Sequence, residues 1–325
     1  MSVRLCIILT LNMDPDVNHS PENKQLTEEI DILGMGTVVV DHILTLDRPL
    51  SGGLKHEAVD ERIQVGGPVP TALSLLSRWG IQCQFSGFWS HDHHGKLIES
   101  HLDRHQITYA HPTTSIIESP RSGFAQVWIE PQTGTRTICA YRGSGKPSIP
   151  EGFPGSFKRA RMIYLDGWPP DVAIKMATAA RKKDLLVFAD LGSPKERLEE
   201  FLPLVTHLNC PADFIQRAWG LNNPDDGADR LLKAGIREVT ITDGAKGAWF
   251  YSQDKKFHFP ARPISPLDTN GAGDCFAGAM AFGLFSGWDA CKKVAFATEV
   301  AAIKCLQAGN SPVLPPLGEI LKSIS

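Results

Sequence analysis

The 325 residues suffice for two average domains or one large α/β domain, and a hydrophobic share of 42% is ample for a packed core. With 33 basic and 36 acidic side chains, a net charge of -3, there is no electrostatic case for binding nucleic acid or a membrane surface, so the expected partners are small molecules. The 7 cysteines are scattered, odd in number and without a close pair able to clip zinc, which fits a reducing cytoplasm.

Near the start, Leu5 to Leu11 is apolar after Arg4, yet it is too short to span a bilayer and no small-residue cleavage site follows. Residues Asn12 to Glu29 are polar and aperiodic, which predicts an N-terminal extension over 1–29 before a core that begins near Ile30. The apolar run from Ile32 to Val40, around Gly34 and Gly36, predicts a strand buried on both faces with Asp41 at its C-terminal end. After an alternating segment at Glu57–Val65, Gly66-Gly67-Pro68-Val69-Pro70 leads into a helix over Thr71–Trp79 that stops at Gly80. A strand over Gln82–Phe88 follows, then a helix capped by Ser90 or Asp92 with Leu97, Ile98 and Leu102 facing inward. In Ser122–Tyr141 two β-rich runs flank Pro131-Gln132-Thr133-Gly134, a hairpin signal, so a small sheet should project from the main one. Beyond it, strands at Met162–Leu165, Leu185–Ala189 and Val239–Thr242 alternate with helical stretches at Asp171–Lys182 and Ala228–Ala234, the pattern of a parallel sheet covered by helices. Two further helices are expected at Gly273–Phe285 and Asp289–Gln307.

The stretch with the most chemistry is Asp268-Thr269-Asn270-Gly271-Ala272-Gly273-Asp274, which runs into the small-residue apolar segment Cys275–Phe285. A turn of two glycines and an alanine that opens a helix leaves N–H groups unpaired, close together and at the positive end of the helix dipole, which makes an anion site. Asp274 stands inside that turn, where its charge repels a phosphate unless it has another task. The economical task is taking the proton of a hydroxyl that attacks a phosphoryl group. Asp41 can accept hydrogen bonds from two vicinal hydroxyls, or simply cap a turn. Gly66-Gly67 permits close backbone approach to a ligand and equally suits a tight turn. Gly143-Ser144-Gly145-Lys146-Pro147 ends like a P-loop but has Pro147 where Ser or Thr and a helix start are needed, so it is rejected. His91-Asp92-His93-His94 reads as a polar helix cap rather than a metal site.

The seven-residue turn, together with the Gly-Gly pair opening an early helix, resembles the ribokinase-like (PfkB-type) family of sugar and nucleoside kinases over about Ile30–Pro316. The resemblance implies a three-layer α/β/α domain over 30–325, with a mostly parallel central sheet and a small β-sheet lid from about residues 43–64 and 112–142. It implies ATP-dependent phosphorylation of a small carbohydrate, with Asp274 as general base and Gly271, Ala272 and Gly273 in the anion hole. Asp41, Gly66, Gly67 and the lid would hold the sugar. Apart from the resemblance, Arg142 is a candidate substrate or phosphate contact from its place at the base of the projecting hairpin. Thr242, Gly244 and Gly247, in a turn that follows a strand, and Asn270 would hold ATP. A potassium-like monovalent ion (K+) is implied beside Asp268, Asn270 and the turn around Gly309. The family's Asn-x-x-Glu motif for Mg2+ reads Asn209-Cys210-Pro211-Ala212-Asp213 here, which makes Asn209 and Asp213 the nearest polar candidates and leaves Mg2+ mainly to ATP phosphates and water.

Thr71 stands where ribokinases carry a sugar-binding Asn. The phrase from Gly66 to Ala72 is closer to a branch that includes sulfofructose kinases, in which Lys55 falls at an anion-binding lysine. Gly167 and Ala140 replace that branch's Arg and Asn, so a sulfonated sugar is not expected. The resemblance also implies a homodimer paired through the lid. The rival readings are a nucleoside kinase, with Phe124, Trp128 and Trp168 as stacking aromatics, and a catalytically silent regulatory homologue. The intact turn ending in Asp274 argues against the second.

Overall fold

The computed structural model describes residues 30–109, 120–130, 136–147, 149, 152–155, 160–310, 314 and 316–324. The expected N-terminal extension 1–29, the hairpin turn 131–134 and part of the second lid segment, 112–119, lie outside the described residues.

The apolar run read as one strand is two strands in two sheets. β1 (Ile32–Met35) ends before Gly36, and β2 (Val39–Leu46) begins after Val38 in the other sheet. Gly36 permits the break because a Cβ there would meet the Asp166 carboxyl at 2.6 Å, and that carboxyl accepts the Thr37 N–H at 2.8 Å. Asp41 is therefore the third residue of β2, not the last residue of a core strand.

β2 pairs antiparallel with β3 (Ala58–Gly66) and parallel with β6 (Phe124–Ile129), which pairs antiparallel with β7 (Arg136–Tyr141). These four strands are the lid sheet, in the order β3-β2-β6-β7. Between β3 and β6 the chain forms α1 (Pro68–Arg78), β4 (Cys83–Ser86), α2 (His93–Arg104) and the short β5 (Thr108–Tyr109). Asp92 is the cap of α2, accepting the Gly95 N–H at 2.8 Å, so the histidine-rich segment is a polar cap as expected.

After the lid come β8 (Met162–Leu165), α3 (Pro170–Arg181), β9 (Leu186–Asp190), α4 (Leu198–Phe201), β10 (His207–Pro211), α5 (Ala212–Trp219), α6 (Pro224–Lys233) and β11 (Glu238–Thr242). An antiparallel pair, β12 (Ala248–Ser252) and β13 (Lys256–Phe259), extends the edge, and α7 (Ala272–Phe285), α8 (Ala290–Cys305) and α9 (Leu317–Ser323) complete the chain. The central sheet runs β13-β12-β11-β10-β9-β8-β1-β4-β5, parallel from β11 to β5.

Successive residues of β1 serve opposite cores: Ile32 packs with α1, α7 and α8, whereas Leu33 and Met35 pack with α3 and its neighbours. Helices on both faces explain why the core strands read as unbroken apolar runs. Such sheets place their ligands beyond the carboxyl ends of the strands, and Asp166, Asp190 and Thr242 stand at those ends. Among the described residues no helix is long and apolar enough to cross a membrane.

Candidate active site

The mouth of α7 is built by glycine. Gly271 takes φ 75°, and a Cβ on it would strike Asn310 Cβ at 2.7 Å. No side chain caps this helix, and a Cβ at Gly273 would meet nothing within 4 Å, so open space adjoins its first N–H groups. Asp274 lies in that first turn. A helix N-terminus ordinarily favours a charged carboxylate. Here burial dominates and raises the Asp274 pKa to about 6, with the charges of Asp41 and Asp166 pushing the same way and Arg136 opposing them.

Asp41 also rises to about 6 through burial, against the lowering effect of the Gln64 amide beside it. Gly66 makes room for that carboxyl, since a Cβ there would come within 2.2 Å of Asp41 Oδ2. Gly67, at φ 112°, similarly packs its α-carbon against the Thr37 carbonyl. The structure thus brings Asp41, Gly66 and Gly67 together, and Asp41 lies within electrostatic reach of Asp274.

Thr71 and Lys55 sit in different surroundings. Thr71 is buried, its N–H donating to the Gly67 carbonyl and its hydroxyl accepting from Asn310 Nδ2 at 3.5 Å. Lys55 lies in the loop beyond the Leu46–Ala58 pairing, at the far end of the β2–β3 hairpin from the Asp41–Gln64 pair, and its exposed ammonium is 3.9 Å from Glu57. Asn310 was not singled out in the sequence, yet it ties the site together: its Nδ2 donates to the Val65 carbonyl at 2.8 Å and its N–H to Gln64 Oε1 at 3.2 Å. Arg136 of the lid is a second such residue, donating to Asn270 Oδ1 at 3.1 Å across to the α7 turn.

The two magnesium candidates, Asn209 and Asp213, have different partners. Asp213 is exposed at the start of α5, where side chains point off the sheet, and it pairs with Arg217 at 3.1 Å. Asn209 instead donates to Asp190 Oδ1 at 2.8 Å, and its own Oδ1 is buried without a partner. Burial and the Asp274 charge push Asp190 up to about 8, while Asn209 and Tyr164 hydrogen bonds oppose. On the same side, the Arg142 guanidinium lies 4.8 Å from the Trp168 ring centre, and its charge lowers the pKa of the largely buried Lys195 after burial itself. Phe124 packs with His42, His94 and Tyr141, whereas the Trp168 ring is covered by the Arg142 guanidinium.

At the other end, Thr242 closes β11, and Gly244–Lys246 form one 3-10 turn. Gly247 takes φ 94°, packed so that a Cβ would meet the Phe259 carbonyl at 2.1 Å, while space beside Gly244 is open. Lys246 pairs with Asp243 at 2.8 Å. Between this turn and α7, Asp268 accepts the N–H groups of Asn270 (2.8 Å, Oδ1) and Gly309 (2.9 Å, Oδ2).

An uncapped helix mouth with open space beside Gly273, a protonatable carboxyl in its first turn and a second carboxyl carried on a lid strand are parts that suit moving a phosphoryl group onto an alcohol. Residues 29–316 match the model of the pfkB family of carbohydrate kinases. The chain belongs to that family and is an ATP-dependent carbohydrate kinase, a phosphotransferase with an alcohol group as acceptor. A ribokinase of Arabidopsis thaliana is 23% identical, the match covering 97% of this chain and 86% of that protein. A 5-dehydro-2-deoxygluconokinase of Clostridium botulinum is 23% identical over 91% of this chain and 93% of its own. Among solved structures, Arabidopsis thaliana ribokinase complexed with ribose and ATP aligns with a TM-score of 0.78 at 21% identity, over 91% of this chain and 99% of that one. An E. coli protein provisionally assigned as ribokinase II, in complex with ATP and Mg2+, gives 0.74 at 18% identity, over 91% and 98%.

Proposed function

We propose that Asp274 is the general base of this kinase and that Gly271, Ala272 and Gly273 present the anion hole to the γ-phosphoryl group of ATP. The observation that carries this reading is the surroundings of Asp274: a carboxyl at about 6, at an uncapped helix mouth, within reach of a second carboxyl at about 6. Above that pH Asp274 is charged and takes the proton of the sugar hydroxyl as it attacks. The helix N–H groups receive negative charge shifted onto the phosphoryl oxygens. Asp41 accepts hydrogen bonds from sugar hydroxyls, with the Gly66-Gly67 backbone alongside. Thr242, Gly244 and Gly247 hold the nucleotide, whose phosphates run toward Asn270. Replacing Asp274 with Ala should abolish sugar-dependent ADP release while leaving nucleotide binding, read by calorimetry, close to the parent value; turnover near normal would remove the proposed base.

Mg2+ fits beside the orphaned Asn209 Oδ1 and the Asp190 carboxyl, both of which would hold its water shell. When bound with ATP it neutralises phosphate charge. Arg142 and Lys195 favour an acceptor with an acidic group at that end of the cleft, in line with the sugar-acid name carried by one relative. A neutral sugar such as the ribose bound by the Arabidopsis enzyme is the second reading, favoured by the exposed, distant position of Lys55. Comparing ADP release with aldonic acids and with the matching neutral sugars separates the two. Homodimer formation through the lid is supported by its exposed Val59, Ile63, Ile138 and Tyr141. The free cysteines among the described residues support a cytoplasmic setting.

A further inference from the structure

Lys304 is a lysine with no exposed surface, in the last turn of α8. Its ammonium donates to the Asp268 carbonyl at 2.6 Å and to the Gln307 carbonyl at 3.3 Å, and it stands 3.8 Å from Asp268 Oδ1. Burial lowers its pKa and the Asp268 carboxylate opposes that effect. Two carbonyls and a carboxylate are the oxygen set a large monovalent cation takes from a protein, and they are gathered here around a positive charge that the chain itself supplies.

Among the described residues, the groups around Asp268 are already engaged with donors and cations of the chain itself. Both Asp268 carboxylate oxygens already accept a backbone N–H, and Arg62 Nη1 lies 3.5 Å from Oδ2. A potassium ion beside Asp268 and Asn270 would face two fixed cations, Arg62 and Lys304, and a carboxylate whose charge they already offset. The expectation of a bound monovalent ion at these residues does not fit the side chains present.

We infer that the Lys304 ammonium is a built-in substitute for that ion, a positioning residue that holds the Asp268–Asp274 turn in shape and makes the enzyme indifferent to potassium. The route is short. Lys304 grips the carbonyl of Asp268, the Leu267 and Asp268 N–H groups donate to the Cys305 carbonyl at 2.8 and 3.2 Å, and Asp268 in turn holds the N–H of Asn270, next to Gly271. A cation tethered by its own side chain is present at every turnover, whereas a diffusing one is present only as often as its concentration allows.

The effect on turnover rests on the kinase reading; the effect on folding does not. The experiment compares wild type, Lys304→Ala and Lys304→Met in tetramethylammonium buffer, with KCl, RbCl or NaCl added, by sugar-dependent ADP release and by thermal melting. Wild type should change by less than about twofold on adding KCl, while Lys304→Ala should lose about tenfold to a hundredfold and recover most of it with KCl or RbCl. Lys304→Met, which fills the space without the charge, should lose as much and not recover. KCl should raise the melting midpoint of Lys304→Ala and leave that of wild type unmoved. A purely structural lysine would give losses that no ion repairs. Wild type accelerated severalfold by KCl, or folded Lys304→Ala that is fully active without ions or is indifferent to KCl in both assays, overturns the inference. If Lys304→Ala does not fold, the wild-type response to KCl still decides. If no sugar is phosphorylated at all, the kinase reading fails and the melting shifts still judge Lys304.

Discussion

Asp268 and Asp274 bound the same turn and live in opposite surroundings. Asp268 is saturated, with two backbone N–H donors and the cations of Arg62 and Lys304 around it. Asp274 is starved: burial and the charges of Asp41 and Asp166 oppose its ionisation, and only Arg136 among its named neighbours favours it. One carboxylate is fixed as scaffold and the other is kept poised to gain and lose a proton. The contrast teaches that partners, rather than residue type, separate structure from chemistry in this turn.

The harshest way to break the contrast is at Asp274. Asp274→Asn should cut kcat by about a thousandfold or more, the span open to a positioned base together with its neighbours. It should also stabilise the empty protein. The folded chain holds the Asp274 proton to higher pH than the unfolded one, so this group's contribution to stability falls as pH rises from about 4 through about 6. At pH 7 the Asn variant should therefore gain about 3 kcal/mol, shrinking to nothing below pH 4, as urea titrations at the two pH values would read. Unchanged stability at pH 7 would mean that Asp274 carries no electrostatic load.

Next in size is Asp41→Asn, which should raise the sugar KM by about tenfold to a hundredfold through lost charge-assisted hydrogen bonds. Wild-type kcat/KM should fall on the acid side near pH 6, as the coupled Asp41–Asp274 pair takes up protons. Removing the Asp41 charge should move that fall to lower pH, and an unmoved profile would show that the two carboxyls do not sense each other. A smaller loss is expected for Asn310→Ala, which orphans the Val65 carbonyl: about 1–3 kcal/mol of stability, seen as a lower urea midpoint. The smallest effect belongs to Asp213→Ala, whose exposed pair with Arg217 is worth little, so turnover and Mg2+ dependence should stay within about twofold.

What could be read in the sequence was what lies together in the chain. The Asp268–Asp274 turn was legible because glycine, alanine and carboxylate fall within one loop and the helix follows directly. The lid hairpin and the strand–helix alternation were legible for the same reason. Asp41 reads as a candidate sugar contact but on the wrong element, since nothing in the apolar pattern marks a strand that leaves one sheet for another. Asp166, which holds the Thr37 N–H at that break, lies 129 residues away. Asn310 reaches Val65 over 245 positions and Arg136 reaches Asn270 over 134. Lys304 reads as an ordinary basic residue in the last turn of a helix until its 36-residue contact with Asp268 is seen. Asp190, the partner of Asn209, stands 19 residues away on the neighbouring strand, outside the local Asn-x-x-Glu spacing.

The division at Gly36 has a consequence for economy of ATP. Asp41 rides on β2, so under the proposed assignment the group that feels for the acceptor belongs to the cover of the cleft and not to its floor. A sugar drawn to Asp41 would then pull the cover toward the phosphates as it docks, whereas water offers no such grip. Recognition and closure are then a single event, and wasteful hydrolysis is discouraged at the step where the acceptor is first touched.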